Sequence, residues 1–253
     1  MKKRKLTYVI FRHSPTLLRW MRRCKKYEKK DAPIEKKHKF AIKVIDKLHK
    51  IFKVKIKVSG LENIPKDLGG CVFMGNHQGQ DDGPVVLSSL RDYTVSVLMN
   101  KTILDNLFFK KVTFLLNGLL LDHTDLKQQL EVYKELAKNV ESGSRYIIFP
   151  EGKHDNNKNE LLEFNTGCLT PVIKSKADIY PFCLYDTWPI FNDDYKQKGH
   201  INCECHFLKP IKYSEYEGLK KPEIIELVKN RIQDKLNEIK FEKGENSLWK
   251  NFK

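Results

Sequence analysis

The chain has 253 residues, 40% of them hydrophobic and 31% charged, which is enough to bury a sizeable core and too apolar for a disordered segment. No apolar run reaches the roughly 20 residues that cross a bilayer; the longest, Val112 to Leu121, is interrupted by Thr113, Asn117 and Gly118. The net charge of +15 is lopsided, since residues 1–57 hold 21 Lys and Arg against 4 Asp and Glu and the other 196 hold 26 against 28, so an anionic partner would meet the N-terminal part: nucleic acid, anionic lipid or an acidic protein.

The opening MKKRKLTYVIFRHSPTLLRW starts basic, but its apolar run spans only Leu6 to Phe11 and no small-residue cleavage site follows, which argues against a secretory signal. Ser14 to Arg23 then sets Leu17, Leu18, Trp20 and Met21 beside Arg19, Arg22 and Arg23, a pattern that resembles an interfacial membrane helix. From His38 to Phe52, Phe40, Val44, Leu48, Ile51 and Phe52 form one helical stripe with Lys43, Lys47 and Lys50 off it, as expected for a helix packed on the body. Val54, Ile56 and Val58 alternate with lysines as an edge strand, followed by a turn over 60–65 and a short buried strand from Cys71 to Met74.

Helix signals near Pro84 to Leu90 precede a strand from Thr94 to Met99, an apolar helix over Ile103 to Leu116 and a strand from Leu119 to Leu121. Leu126, Leu130, Tyr133, Leu136 and Val140 recur at helical spacing over Asp125 to Val140, and Tyr146 to Phe149 reads as a buried strand. A helix from Thr166 to Lys176, strands over Ile179 to Leu184 and Ile201 to Leu208, and a helix from Pro222 to Ile239 complete the series. This alternation predicts an α/β fold: a mostly parallel mixed sheet with helices on both faces, over residues 54–253, preceded by a basic helical arm over 1–53.

Six cysteines (24, 71, 168, 183, 203, 205) sit mostly in apolar contexts without disulfide spacing, which suits a reducing cytosol. Cys203-Glu204-Cys205-His206 has the wrong spacing for a zinc knuckle and falls in an alternating strand, with both thiols on one face.

In sheets of this kind ligands sit beyond the carboxyl ends of the strands, and three polar clusters fall there. Asn76-His77…Asp82 follows strand 71–74, Asp122-His123 follows strand 119–121, and Pro150-Glu151-Gly152-Lys153-His154-Asp155 follows strand 146–149. No Gly-x-Ser-x-Gly elbow, phosphate-binding Gly-x-x-x-x-Gly-Lys-Ser/Thr or Gly-x-Gly-x-x-Gly occurs, which removes serine hydrolases and nucleotide enzymes of those types. What remains is a histidine base: Asp82 can fold back onto the His77 ring, fixing one nitrogen and leaving the other to take a proton from a substrate hydroxyl. A metal held by His77, Asp82, His123 and Glu151 is the competing use of the same side chains. Either Asp81 or Asp82 suits the helix cap.

These residues resemble the glycerolipid acyltransferase family, which includes the 1-acylglycerol-3-phosphate acyltransferases. Its first motif, Asn-His, four residues and Asp, is matched by Asn76-His77-Gln78-Gly79-Gln80-Asp81-Asp82, and Phe-Pro-Glu-Gly by Phe149-Pro150-Glu151-Gly152. Gly118 to His123 looks like the second motif, and Ala177 to Phe182 like the fourth. The resemblance implies His77 as general base, Asp82 as its orienter, and Asn76, Glu151 and Gly152 at the substrate. It also implies acyl-CoA or acyl carrier protein as donor, a lysophospholipid acceptor, an anionic membrane surface at the cytoplasmic face, no cofactor and no metal.

Two arginines of the family pattern are missing: His123 stands in the second motif, and Lys153-His154 follows Phe-Pro-Glu-Gly where Thr-Arg is usual. A phosphate would then be met by Lys153 and Lys101 with His123 and His154, or the acceptor is another lysolipid or glycerol 3-phosphate. A basic nucleic-acid-binding protein is the alternative from another class, although aromatic and basic residues are poorly interleaved for it and no nucleic acid is expected.

Overall fold

A computed structural model describes residues 14–28, 32–105, 107–155, 157–192, 195 and 199–244. The basic opening at residues 1–13 lies outside them, as do the side chains of Leu17 and Met21. Two helices, α1 (Ser14–Glu28) and α2 (Ile34–Phe52), lead into β1 (Val54–Ser59), β2 (Cys71–Gly75), α3 (Asp82–Ser89), β3 (Ser96–Asn100), α4 (Leu107–Leu115) and β4 (Leu119–Leu121). Then follow α5 (Leu126–Glu141), β5 (Arg145–Ile148), α6 (Leu169–Lys174), β6 (Asp178–Tyr185), β7 (Ile201–Phe207), α7 (Tyr213–Tyr216) and α8 (Lys221–Glu242). The apolar helix expected over 103–116 is divided: residues 101–105 form a 3-10 turn before α4, and residue 106 lies outside the described set.

Among the described residues the strands form one sheet in the order β1-β7-β6-β2-β5-β3-β4. β6, β2, β5, β3 and β4 run parallel, whereas β7 is antiparallel to β6 and carries β1 parallel to itself. This is the α/β class and mostly parallel mixed sheet expected from the sequence, with β1 on the edge and its lysines outward.

Period-2 alternation splits the apolar side chains between two cores, one on each sheet face. Phe73 of β2, Ile147 of β5 and Tyr180, Phe182 and Leu184 of β6 pack with α2 and α3. Val72, Met74, Tyr146, Ile148, Ile179 and Cys183 face the other way, onto α5, α6 and α8. Cys203 and Cys205 share one face as expected, and all six cysteines are buried with no disulfide between them.

Helices α1 and α2 of the arm belong to the first core. Ala41, Val44 and Ile45 of α2 are buried, and so are Trp20 and Cys24 of α1. The Trp20 ring, expected on a membrane-facing side, lies instead against the body with the Lys47 ammonium 5.7 Å from its centroid. Spaced four residues apart, Trp20 and Cys24 occupy the stripe that a helix presents to its own core, leaving Leu18, Arg19, Arg22 and Arg23 exposed. On α5 the apolar stripe is buried only at Val132, Leu136, Ala137 and Val140, while Leu126 and Leu130 remain exposed.

Candidate active site

The carboxyl ends of β2, β4 and β5 release the three polar segments at one edge of the sheet. At the end of β2 the strand must pass Phe182 closely: a Cβ on Gly75 would fall 2.1 Å from that ring. Asn76 comes next, fully buried, donating from Nδ2 to the Leu184 carbonyl at 2.9 Å and accepting the Leu184 N–H at 2.7 Å. Both ends of the Asn76 amide thus tie β2 to β6.

His77 follows, and the short turn brings it onto the first residue of α3. His77 Nδ1 lies 2.7 Å from Asp82 Oδ2. The same oxygen accepts the backbone N–H of Gln78 and, at 2.8 Å, that of Gly79. Three donors on one oxygen of a fully buried carboxylate fix its direction, and its place in the first turn of α3 adds the favourable end of the helix dipole. The His77 ring stacks on Phe149, with centroids 4.4 Å apart, and meets the His154 ring edge-on at 5.0 Å. His77 is thereby clamped through Nδ1 and one ring face, and its other nitrogen is left for the cavity.

Glu151 is buried behind His77, not in the cavity wall. Its Oε1 accepts the His77 backbone N–H at 3.0 Å, and Oε2 is buried with no partner among the described residues. Burial pushes its carboxyl up to about 7 against the opposing bond from His77. Burial and then the neighbouring His77 hold His154 below the ordinary histidine range. Asp81 makes no side-chain cap bond and pairs instead with His49 of α2, at 2.8 Å.

In front of His77 lies a cavity of about 510 Å³. Its inner wall is apolar, built by Leu87, Val97, Met99, Val112, Leu116 and Ile148 from both sheet and helices. His77, His123, Gly152, Lys153 and His154 supply its polar side, together with Asn165 and Tyr133. Gly152 takes a left-handed backbone, φ 67°, which turns the chain after Glu151 toward His123. Lys101, expected beside Lys153, is exposed, does not line the cavity and bonds Asp122 at 3.4 Å. No group of three or more metal-binding side chains occurs among the described residues.

Sequence reasoning missed the network behind the turn. Gln78 Oε1 accepts from the Thr187 N–H and hydroxyl, and its Nε2 donates to Leu184 and to Asn159. Asn159 in turn donates to Asp186. Partners 81 and 109 positions away leave no mark in local spacing, and Gln78 occupies one of the unspecified positions of its motif.

Fold and site together define an α/β protein with a histidine–carboxylate pair at the carboxyl edge of its sheet, facing a cavity with an apolar wall. A family model described as Acyltransferase matches residues 55–185, more than half of the chain, and the chain belongs to that family: it is an acyltransferase enzyme. Two curated relatives are each 25% identical: a 1-acyl-sn-glycerol-3-phosphate acyltransferase of Haemophilus influenzae and a chloroplastic one of Brassica napus. The first match covers 67% of this chain and 69% of the bacterial enzyme, the second 72% of this chain and 51% of the plant enzyme. The fold is also that of the 1-acyl-sn-glycerophosphate acyltransferase of Thermotoga maritima, with a TM-score of 0.67 at 20% identity over 92% of this chain and 90% of that one.

Proposed function

We propose that this acyltransferase moves a fatty acyl group from acyl-CoA or acyl carrier protein to the free hydroxyl of a lysophospholipid of the 1-acylglycerol-3-phosphate class. His77 takes the hydroxyl proton as that oxygen attacks the thioester carbonyl. The C–S bond then breaks, and the imidazolium returns the proton to the leaving thiolate. Asp82 holds the ring tautomer and stabilises the imidazolium. The observation that carries this reading is the 2.7 Å contact between His77 Nδ1 and Asp82 Oδ2 beside a cavity with an apolar wall.

Lys153, His123 and His154 are the groups that meet the acceptor's phosphate, in place of arginines. That set is a point charge with two weaker donors, so the acceptor range is open to glycerol 3-phosphate and other lysolipids as well. Work at the cytoplasmic face of a membrane fits Leu18, Arg19, Arg22 and Arg23 being exposed on α1, while no helix of the described residues is long and apolar enough to cross a bilayer.

A product-resolved assay of both donors against a panel of lysolipids and glycerol 3-phosphate tests the substrate class. His77→Ala and Asp82→Asn lower kcat by about 100- to 10,000-fold, the range a positioned base contributes. A His77→Ala enzyme that acylates at the normal rate sinks the reading.

A further inference from the structure

Asp81 and Asp82 stand side by side at the start of α3, and each meets a histidine. Asp82 faces His77, whereas Asp81 Oδ2 lies 2.8 Å from Nε2 of His49 on α2. Both members of this second pair are buried, the side chains 7% and 3% exposed. Asp81 occupies the N-cap position of α3, yet its side chain makes no cap bond. A cap bond would stabilise the start of the helix, yet the carboxylate is turned from its nearest donors to a partner 32 residues away. Burial raises the Asp81 carboxyl, and His49 opposes that rise. A buried pair of this kind is weak ground for stability, because desolvation offsets the attraction. Holding a geometry is its better-founded use.

The turn over residues 76–82 is otherwise fastened on the sheet side. Asn76 and Gln78 bond Leu184, Gln78 also bonds Asn159 and Thr187, and the His77 N–H bonds Glu151. Among the described residues, His49 makes the side-chain bond from this turn to the helices of the arm. Without it the polar bonds of this turn come from the sheet side alone, with α2 held to α3 by apolar packing, and Asp82 can shift with its neighbour.

We propose that His49 is a positioning residue for acyl transfer: its bond to Asp81 sets the first turn of α3 so that Asp82 stays aimed at His77, which makes α2 of the arm part of the active site. The proposal rests on His77 acting as the base.

Full-length His49→Ala and His49→Gln test it, with folding followed by thermal melts. Glutamine spans the gap and still donates to Asp81, whereas alanine removes the bond. A groove lined by His49, Lys50, Ser88 and Arg91 opens there, so water can reach Asp81 in the alanine variant and limit the cost in folding. Two readouts separate positioning from bulk stability: kcat against KM, and the imidazole N–H proton resonance of His77, assigned by its loss in His77→Ala. In H49A kcat falls about 10- to 100-fold, as for a reacting group displaced by about an ångström, while KM for both substrates stays within about twofold and the resonance shifts or broadens. H49Q restores both. An unchanged kcat and resonance in H49A, or a loss that H49Q does not restore, overturns the proposal. If H49A does not fold, His49→Asn, too short to reach Asp81, is read by the same criteria. Failure of the underlying function looks different, since His77→Ala would then acylate normally while the resonance still responded to His49.

Discussion

Glu151 holds the His77 backbone from behind, and it does so with an acid raised by burial from 4.5 to about 7. The folded protein therefore binds that proton more tightly than the unfolded chain does. Between pH 4.5 and about 7, rising pH removes stability, with a ceiling of about 3 kcal/mol if the whole shift is expressed. Glu151→Gln keeps a carbonyl oxygen for the His77 N–H and has no proton to lose. Relative to the natural enzyme, this variant gains stability between pH 5 and pH 8, by about 1 to 3 kcal/mol. Urea unfolding at the two pH values checks the sign; an equal difference at both would show that Glu151 does not carry this dependence. The same substitution separates support from chemistry, because a residue that only braces the His77 backbone tolerates glutamine with little change in kcat.

At the scale of elements, local chemistry decides how well each piece could be read from sequence. Asp125 is a case where it could: it stands before the helical pattern of α5, and its side chain accepts the Gln128 N–H at 3.0 Å. Asp125→Ala removes that cap and lowers stability by about 1 kcal/mol, measurable as a shift in the urea midpoint with unchanged slope. Strands β2, β5 and β6 were legible because buried parallel strands are continuous apolar runs. The segments that follow β2 and β5 stand out in the sequence as a candidate site because polar residues cluster there after such runs. Trp20 was misread because a helix shows the same apolar stripe whether it faces lipid or its own protein. The bond of Asn76 to Leu184 is invisible in local sequence because the two are 108 positions apart. The pairing of Asp81 with His49 was likewise invisible, since two adjacent carboxylates at a helix start look like a cap and its neighbour. What sequence withholds here is which polar side chains are consumed by the fold and which remain for a substrate.

For the whole molecule, charge and packing point in different directions. The first 57 residues carry 21 Lys and Arg against 4 Asp and Glu, yet α1 and α2 are built into the core that lies behind the turn carrying His77. The described part of the arm, α1 and α2, therefore carries exposed cations on helices packed against the body. Exposed Arg19, Arg22 and Arg23 beside Leu18 give a patch that an anionic bilayer attracts by about 1 kcal/mol for each cation near the surface. This attraction decays over a Debye length of about 10 Å at 0.1 M salt. The enzyme is thus expected to sediment with vesicles containing phosphatidylglycerol at low salt, to be released at about 0.5 M salt, and to leave neutral vesicles unbound. Reversing the three arginines to glutamate weakens vesicle binding and slows acylation of a lysolipid carried in the vesicle. Acylation of a water-soluble short-chain acceptor is left unchanged, because the cavity and the His77–Asp82 pair are untouched. Binding to neutral and anionic vesicles alike, or a salt-dependent DNA mobility shift without vesicle binding, would assign the basic surface to another partner.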